Sequence, residues 1–447
     1  MQENFCFWND AGNPVHPASA ADFLPRAQLT LMQLHRLQVT IGRAYEHVPI
    51  FRERMDAKGL KPADIRSMAD LAHVPFTIKN DLRETYPFGL FASPIEDIVR
   101  LHASSGTTGK PIVVAYTQND LTVWKQVVIR ALAAAGVHRG DILQNSYGYG
   151  LFTGGMGLHY GAEALGCTVL PTSGGNTERQ LMLMRDMGVT VVCSTPSYFL
   201  HLLDVAENSG LDFKRDFKLR IGIFGAEPWT EEMRQRIQDI SGVHASDIYG
   251  LSEIIGPGVG GECLYQTGMH IFEDHFYPEI IDPETLEVLP AGEIGELVLT
   301  TLSKEAMPMI RYRTRDLSQL IDEPCRCGRT IRRIRRISAR SDDMLIIRGV
   351  NIFPSQIESA LLAAQMTSPH YLIVVDRKGN LDTLEVQVEL TSALFSDDIS
   401  TLEKLHKRIS GAILESTGLR AAVTFVKPQT LPRSEGKLSR VRDLRKK

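Results

Sequence analysis

Apolar residues along the middle of the chain keep two rhythms, and the rhythms alternate. Short continuous runs such as PIVVAY (111–116), ILQNSY (142–147), CTVLP (167–171), VTVVCST (189–195) and LRIGIFGAEP (219–228) have the length of buried strands. Between them apolar positions recur every three or four residues in MGLHYGAEAL (156–165), PSYFLHLLDVAEN (196–208) and TEEMRQRIQDI (230–240), which predicts helices. Thr117 with Asp120 reads as a capping box opening a helix through about Ala135, and Thr177 with Gln180 as a box opening another. This alternation predicts a largely parallel sheet covered by helices, with ligands at the carboxyl ends of the strands. Polar or glycine-rich residues stand at several of those ends: SSGTTGK (104–110), SYGYG (146–150), GAEP (225–228) and YGLSE (249–253).

The pattern changes after RRISARSDDMLIIRGVNIFP (335–354). A helix SQIESALLAA (355–364), a hairpin HYLIVVDRKGNLDTLEVQVEL (370–390), a long helix from about Asp398 and a strand AAVTFVKP (421–428) predict a small α+β domain. The expected class is α/β: a large N-terminal domain (1–339) with mostly parallel sheets and helices, followed by a small mobile α+β domain (340–447).

The loop Ser104–Lys110 holds four hydroxyls, two glycines and a lysine. Gly106 and Gly109 are too close together for a Walker A loop, and Pro111 opens a strand where that loop would need a helix. The composition still suits an anion, because glycines expose backbone N–H groups, hydroxyls donate and Lys110 adds charge. A polar surface turn is the alternative.

Charge narrows the partners. With 49 Lys and Arg against 53 Asp and Glu there is no net basic field to favour nucleic acid or an anionic membrane. No apolar run reaches the roughly 18 residues of a membrane span, and the first residues lack the regions of a signal peptide, so a cytoplasmic protein is expected. Six cysteines are too sparse for a disulfide framework.

Six motifs occur in one order: SSGTTGKP, GAEP, YGLSE, RYRTRD (311–316), RSDDMLIIRG (340–349) and LPRSEGKLSR (431–440). In these the chain resembles the adenylate-forming acyl-CoA synthetases, and SYGYGLFTGG (146–155), IFGAEPW (223–229) and EDHFYPEIIDPET (273–285) most resemble the phenylacetate–CoA ligase group among them. The resemblance implies ATP, Mg2+ and coenzyme A as cosubstrates and cofactor, and an aryl acid joined to coenzyme A through an acyl-adenylate. It implies ATP or AMP binding by Ser104, Ser105, Gly106, Thr107, Thr108, Gly109, Lys110, Ala226, Glu227, Pro228, Asp247, Tyr249, Gly250, Asp316 and Arg340. Within that set Tyr249 would lie against adenine and Asp316 would take the ribose hydroxyls, while Glu253 would hold magnesium. Without the resemblance, Tyr249 reads as ordinary packing and Asp316 as a surface ion pair with Arg313 or Arg315. Tyr147 and Phe152, with Gly225 and Ala226, would wall the acid pocket. Lys110 and Lys437 would act on the reacting phosphate and carboxylate, Asp342 would be the hinge and Gly349 would line the thiol tunnel. Ala339 stands where the family usually has glycine before the arginine.

Cys263 and His270 in CLYQTGMH, with Cys325 and Cys327 in PCRCG, would complete a tetrahedral structural zinc site. Free buried thiols are the alternative. Two other functions compete with acyl-CoA synthesis. One is an adenylation enzyme that loads an aryl acid onto a carrier protein. The other, more distant, is a nucleic-acid binder, suggested by seven arginines between Arg326 and Arg340, whose usual explanation is a solvated strand or loop face. The sequence leaves a homodimer open.

Overall fold

The protein is described by a computed structural model that covers residues 7–8, 14–104, 111–337, 339–341, 345–348, 350–364, 370–378, 381–390, 399–428, 430–431 and 440–445. The chain divides into two compact units. One comprises Met1–Ser194, Lys214–Ala226 and Val243–Arg336; the other comprises Thr195–Phe213, Glu227–Gly242 and Ile337–Lys447.

In the first unit, β1 (Arg100–Ser104) and β2 (Ile112–Tyr116) form an antiparallel pair on either side of the SSGTTGK loop, so the loop does join two strands. There follow β3 (Ile142–Asn145), β4 (Thr168–Leu170), β5 (Val191–Ser194), β6 (Ile221–Gly225), β7 (His244–Leu251), β8 (Gly256–Glu262) and β9 (Met269–Ile271). After them come β10 (Phe276–Ile281), β11 (Gly295–Thr301), β12 (Tyr312–Ser318), β13 (Leu320–Ile321) and β14 (Arg333–Ile334). Among the described residues nine of these make one sheet, in the order β13-β14-β9-β8-β7-β6-β5-β3-β4. The pairs from β4 across to β7 are parallel. Strands β5 and β6 are buried along their whole length, which is why they read as continuous apolar runs.

The rest of the sheet departs from the expected parallel order. β8, β9, β14 and β13 continue it antiparallel, and β10, β11 and β12 pair antiparallel in a separate sheet. β8 has the sequence GPGVGGE, with no apolar rhythm to announce a strand. Its glycines answer a packing demand: a Cβ on Gly256 would lie 2.4 Å from the Trp124 ring and one on Gly258 3.0 Å from Val128. Both partners belong to a helix that lies directly on this strand.

The helices of ten residues or more in this unit are α1 (Arg26–His47), α2 (Gln118–Ala134), α3 (Thr153–Leu165) and α4 (Thr177–Asp186). The expected box at α2 forms, with Thr117 Oγ1 accepting the Asp120 N–H at 3.1 Å and the Asp120 carboxylate accepting the Thr117 N–H at 2.9 Å. The expected box at α4 does not. Asn176 caps that helix in a left-handed conformation (φ 50°), and the Gln180 amide turns inward to donate to the Ser173 and Gly175 carbonyls at 2.9 and 2.7 Å. A buried tertiary contact has taken the side chain that local capping would use.

The run of arginines is only partly a solvated face: Arg326 and Arg335 are exposed, but three of the others turn inward. Arg329 pairs with Asp22 at 3.0 Å and Arg332 with Glu273 at 2.8 Å, while Arg333 donates to the Thr267 carbonyl and Oγ1. Buried carboxylates draw these guanidinium groups inside, because an unpaired buried charge is costly. The same logic fixes Arg130 of α2, 2% exposed, which bridges Asp22 at 2.5 Å and Asp274 at 2.8 Å.

In the second unit, helices α5 (Pro196–Asn208) and α6 (Glu231–Ser241) pack together, their N-termini capped by Thr195 and Thr230. Strands β15 (Leu345–Ile347) and β16 (Val350–Ile352) make a short hairpin. Helices α7 (Pro354–Ala363) and α8 (Ile399–Thr417) pack on each other. Strands β17 (Tyr371–Lys378), β18 (Leu381–Glu389), β19 (Ala422–Val426) and β20 (Val441–Asp443) form a sheet in the order β19-β18-β17-β20. The β17–β18 hairpin is antiparallel and both flanking strands pair parallel to it. Its core is Ile357, Ile373, Val375, Val386, Ile409 and Ile413.

Candidate active site and metal centre

Parallel strands end together, and Tyr147, just beyond β3, therefore reaches the last residues of β5 and β6. Tyr147 follows β3 and is buried; its hydroxyl donates to the Ser194 carbonyl at 2.6 Å and lies 3.2 Å from the Gly225 carbonyl, at the ends of β5 and β6. The ring is thereby fixed across two strand ends. Gly225 must be glycine, since a Cβ there would stand 2.3 Å from the Ile248 carbonyl oxygen. Ala226 follows with φ 69°, a left-handed conformation that costs a non-glycine residue roughly 1–2 kcal/mol. Phe152, the N-cap of α3, is 44% exposed. In the second unit the Glu227 carboxylate accepts the Ser197 N–H at 2.8 Å, and Pro228 follows it.

Tyr249 and Asp316 come from different sheets and meet. The Tyr249 hydroxyl donates to the Asp316 carboxylate at 2.6 Å, with both residues buried. A shift in the β11–β12 register between Glu296 and Val298, with Arg315 at φ 68°, accompanies this inward placement of Asp316. Arg313 and Arg315 do not pair with Asp316; both turn to Glu296, at 2.6 and 3.5 Å. Gly250 allows β7 to run close to its neighbour, because a Cβ there would be 1.9 Å from the Gly256 oxygen. Asp247, also on β7, lies 3.6 Å from Arg336.

Glu253 is buried just past β7. Its carboxylate accepts the Tyr312 hydroxyl at 3.2 Å and lies 3.8 Å from the Lys79 ammonium, while its backbone oxygen takes Lys304 Nζ at 3.0 Å. Lys304 is itself buried over the Tyr116 ring at 5.0 Å, and desolvation pulls its ammonium down to about 8, against the pull of Asp120 and Glu253. An oxygen-donor side chain held by a phenol and near one cation can take a hard divalent ion.

Ser104 ends β1 and Arg340 lies in the short strand Ala339–Arg340. Ser105, Gly106, Thr107, Thr108, Gly109, Lys110, Asp342, Gly349 and Lys437 lie outside the described residues. Lys79, Lys304 and Tyr312 went unread in the sequence. Lys79 opens an ordinary polar helix, KNDLRE, and only tertiary contact brings it to Glu253.

The second constellation is at the antiparallel end of the large sheet. Cys263 directly follows β8 and His270 is the middle residue of β9, while the turn between β13 and β14 carries Cys325 and Cys327. Pairing of β9 with β14, Met269 opposite Ile334 and His270 opposite Arg333, sets the two pairs side by side. The four potential ligand atoms lie within 4.8 Å of one another, and all four residues are buried. Cys263 Sγ is 3.7 Å from Cys325 Sγ, and Cys327 Sγ is 3.4 Å from His270 Nε2. A tetrahedron with metal–sulfur bonds of about 2.3 Å and metal–nitrogen bonds of about 2.0–2.1 Å has edges of about 3.8 and 3.6 Å, so the donor set fits zinc. The close S–H contacts hold the Cys325 thiol well below the ordinary range and push Cys263 up, as expected where several thiols share one position.

Residues 52–303 match the model of the AMP-binding enzyme family, and residues 349–445 that of the AMP-binding enzyme C-terminal domain. The chain is 54% identical to the phenylacetate-coenzyme A ligase of Pseudomonas putida over 92% of its own length and 93% of the relative's. It is 51% identical to the phenylacetate-coenzyme A ligase of Thermus thermophilus over 95% and 98% of the two chains. Among solved structures it resembles 2-hydroxyisobutyryl-CoA ligase in the postadenylation state with R3-HIB-AMP, at a TM-score of 0.89 and 29% identity, over 98% of this chain and 96% of the other. With relatives of this identity over nearly their whole length, and a strand-end site in which Tyr249 meets Asp316, the chain belongs to the AMP-binding enzymes, in the family of the phenylacetate–coenzyme A ligases.

Proposed function

We propose that this protein joins phenylacetate, or a close aryl acid, to coenzyme A at the expense of ATP. The observation that carries the reading is the Tyr249–Asp316 pair, an aromatic face and a two-oxygen carboxyl group held together. A nucleoside needs those two surfaces, one for its base and one for its ribose diol.

In the first step a carboxylate oxygen of the acid attacks the α-phosphorus of ATP, forming the acyl-adenylate as the bond to pyrophosphate breaks. Charge gathers on the departing oxygens, and Lys110 with the loop hydroxyls would neutralise it. Magnesium, held by Glu253, would supply further neutralisation. Lys437 would bridge the carboxylate and phosphate in this step alone. In the second step the thiol of coenzyme A, giving up its proton, attacks the acyl carbon and AMP leaves. The small domain would turn about Asp342 to bring Gly349 to the thiol path. Tyr147 and Phe152 would wall the acid pocket, with the ring of Tyr147 fixed by the two carbonyls it reaches. Cys263, His270, Cys325 and Cys327 would hold a structural zinc, four protein ligands leaving no position for substrate. We place the protein in the cytoplasm; no helix among the described residues is long and apolar enough to cross a membrane.

The test is a panel of aryl and alkyl acids with ATP, magnesium and free coenzyme A, following AMP and thioester. Phenylacetate should give both products, ahead of alkyl acids by tenfold or more. Adenylate without thioester would replace coenzyme A by a carrier protein, and preference for alkyl acids would remove the aryl pocket.

A further inference from the structure

β1 carries His102 two residues before the loop expected to hold phosphate, and its side chain is turned inward: the residue is 3% exposed. His102 Nδ1 is 3.0 Å from the Leu151 carbonyl oxygen, and the Ala103 N–H donates to the same oxygen at 3.1 Å. A carbonyl can accept twice but cannot donate, so the first bond requires the proton to be on Nδ1. Nε2 is buried without a hydrogen-bond partner among the described residues, which suits a bare lone pair better than an N–H with no acceptor. Burial is the main reason that the ring resists protonation, with Arg100 acting in the same sense and the Leu151 bond opposing.

The ring also has a fixed floor. It packs edge-on against Tyr116 and Trp124, with centroids 5.7 and 5.8 Å away, and those two rings stack at 5.0 Å. The Tyr116 hydroxyl donates to the Ile255 carbonyl at 3.0 Å and the Trp124 indole to the Pro257 carbonyl at 2.9 Å. His102 therefore stands between three segments: the strand leading into SSGTTGK, the loop leading into Phe152, and the backbone just after Glu253.

We infer that His102, as the neutral Nδ1–H tautomer, is a positioning residue that fixes the Leu151 carbonyl and thereby the Phe152 ring next to it, shaping the acid pocket. This rests on the reading of Phe152 as a wall of that pocket. A histidine that merely fills space would give a different result, because phenylalanine fills the same space.

His102→Phe keeps the ring and removes the donor, whereas His102→Asn keeps a short donor. In pyrophosphate exchange, His102→Phe should raise the KM for phenylacetate about tenfold, the scale of one lost hydrogen bond, because the Leu151 carbonyl is then held by the Ala103 N–H alone. The KM for ATP should move less than threefold, and His102→Asn should restore the phenylacetate KM to within threefold of the wild type. Unchanged kinetics in His102→Phe, or equal rises in both constants, overturns the inference. A measurement on the wild-type protein stands apart from any variant's folding: 15N spectra of the histidine rings should show His102 protonated on Nδ1 and bare on Nε2, and the opposite tautomer overturns the inference. If the wild-type protein makes no aryl adenylate, the functional reading fails instead, and the ring spectrum still decides the His102 bond.

Discussion

Changing Asp316 to Asn would separate nucleotide binding from fold maintenance. The Asp316 carboxylate is buried and receives the Tyr249 hydroxyl at 2.6 Å. Asparagine keeps an oxygen for that hydroxyl but loses the charge, so the fold should lose only ~1 kcal/mol. Two ribose hydroxyls donating to a carboxylate gain about 1.5 kcal/mol each over neutral alternatives, a total of about 3 kcal/mol. At about 1.4 kcal/mol per factor of ten this predicts a loss of roughly 100-fold in kcat/KM for ATP. Tyr249→Phe is the control, because it removes the hydroxyl and leaves the carboxylate for the ribose. It should cost less than about fivefold, as one neutral donor is worth ~1 kcal/mol. Pyrophosphate exchange at saturating phenylacetate, with ATP varied, measures both variants and their double mutant. If Asp316→Asn stays within fivefold of the wild type, or if both single variants lose equally, Asp316 serves only to hold Tyr249 and the nucleotide assignment is wrong.

Glu253→Gln should raise the magnesium needed for half-maximal adenylation by ~10 to 100-fold, as expected when a group of the metal's environment loses its charge; unchanged magnesium dependence removes Glu253 from the site. Elemental analysis of the purified protein should find about one zinc per chain, and Cys327→Ser should lose it. With ~3 kcal/mol lost and a shift of about 2–4 °C per kcal/mol, that variant should melt roughly 6–12 °C lower. A zinc-free wild-type protein, purified with zinc supplied, would refute the assignment.

Where local rules and packing agreed, the sequence could be read. The Thr117–Asp120 box formed because its tertiary partners are compatible with it: the Asp120 carboxylate accepts the Glu305 and Ala306 N–H groups as well as that of Thr117. At Thr177–Gln180 the same pattern failed, since Gln180 is buried and its amide serves two carbonyls of the preceding loop. The parallel strands β5 and β6 announce themselves by continuous apolar runs, but β8 does not, because its side-chain space belongs to α2. Among site residues, Tyr249, Asp316 and the three cysteines with His270 lie in short motifs, and the structure brings each set together. Lys79 and Lys304 carry no local pattern; their relation to Glu253 exists only after folding. The arginine run misled for the same reason, its buried partners Asp22 and Glu273 lying far back in the chain.

A nine-stranded sheet has two borders, and an open border is a template on which another chain can add strands. Here one border strand, β4, has three residues and the other, β13, has two. β13 ends at the turn that carries Cys325 and Cys327, so the ligand cluster ties the border to the β8–β9 turn two strands inward. If the proposed zinc is bound there, its loss would free that turn and open the way to the seven-residue β8 for pairing with other copies. On the proposed zinc reading, the same four side chains would guard the fold against self-association, and metal depletion should be felt as aggregation before it is felt as lost chemistry.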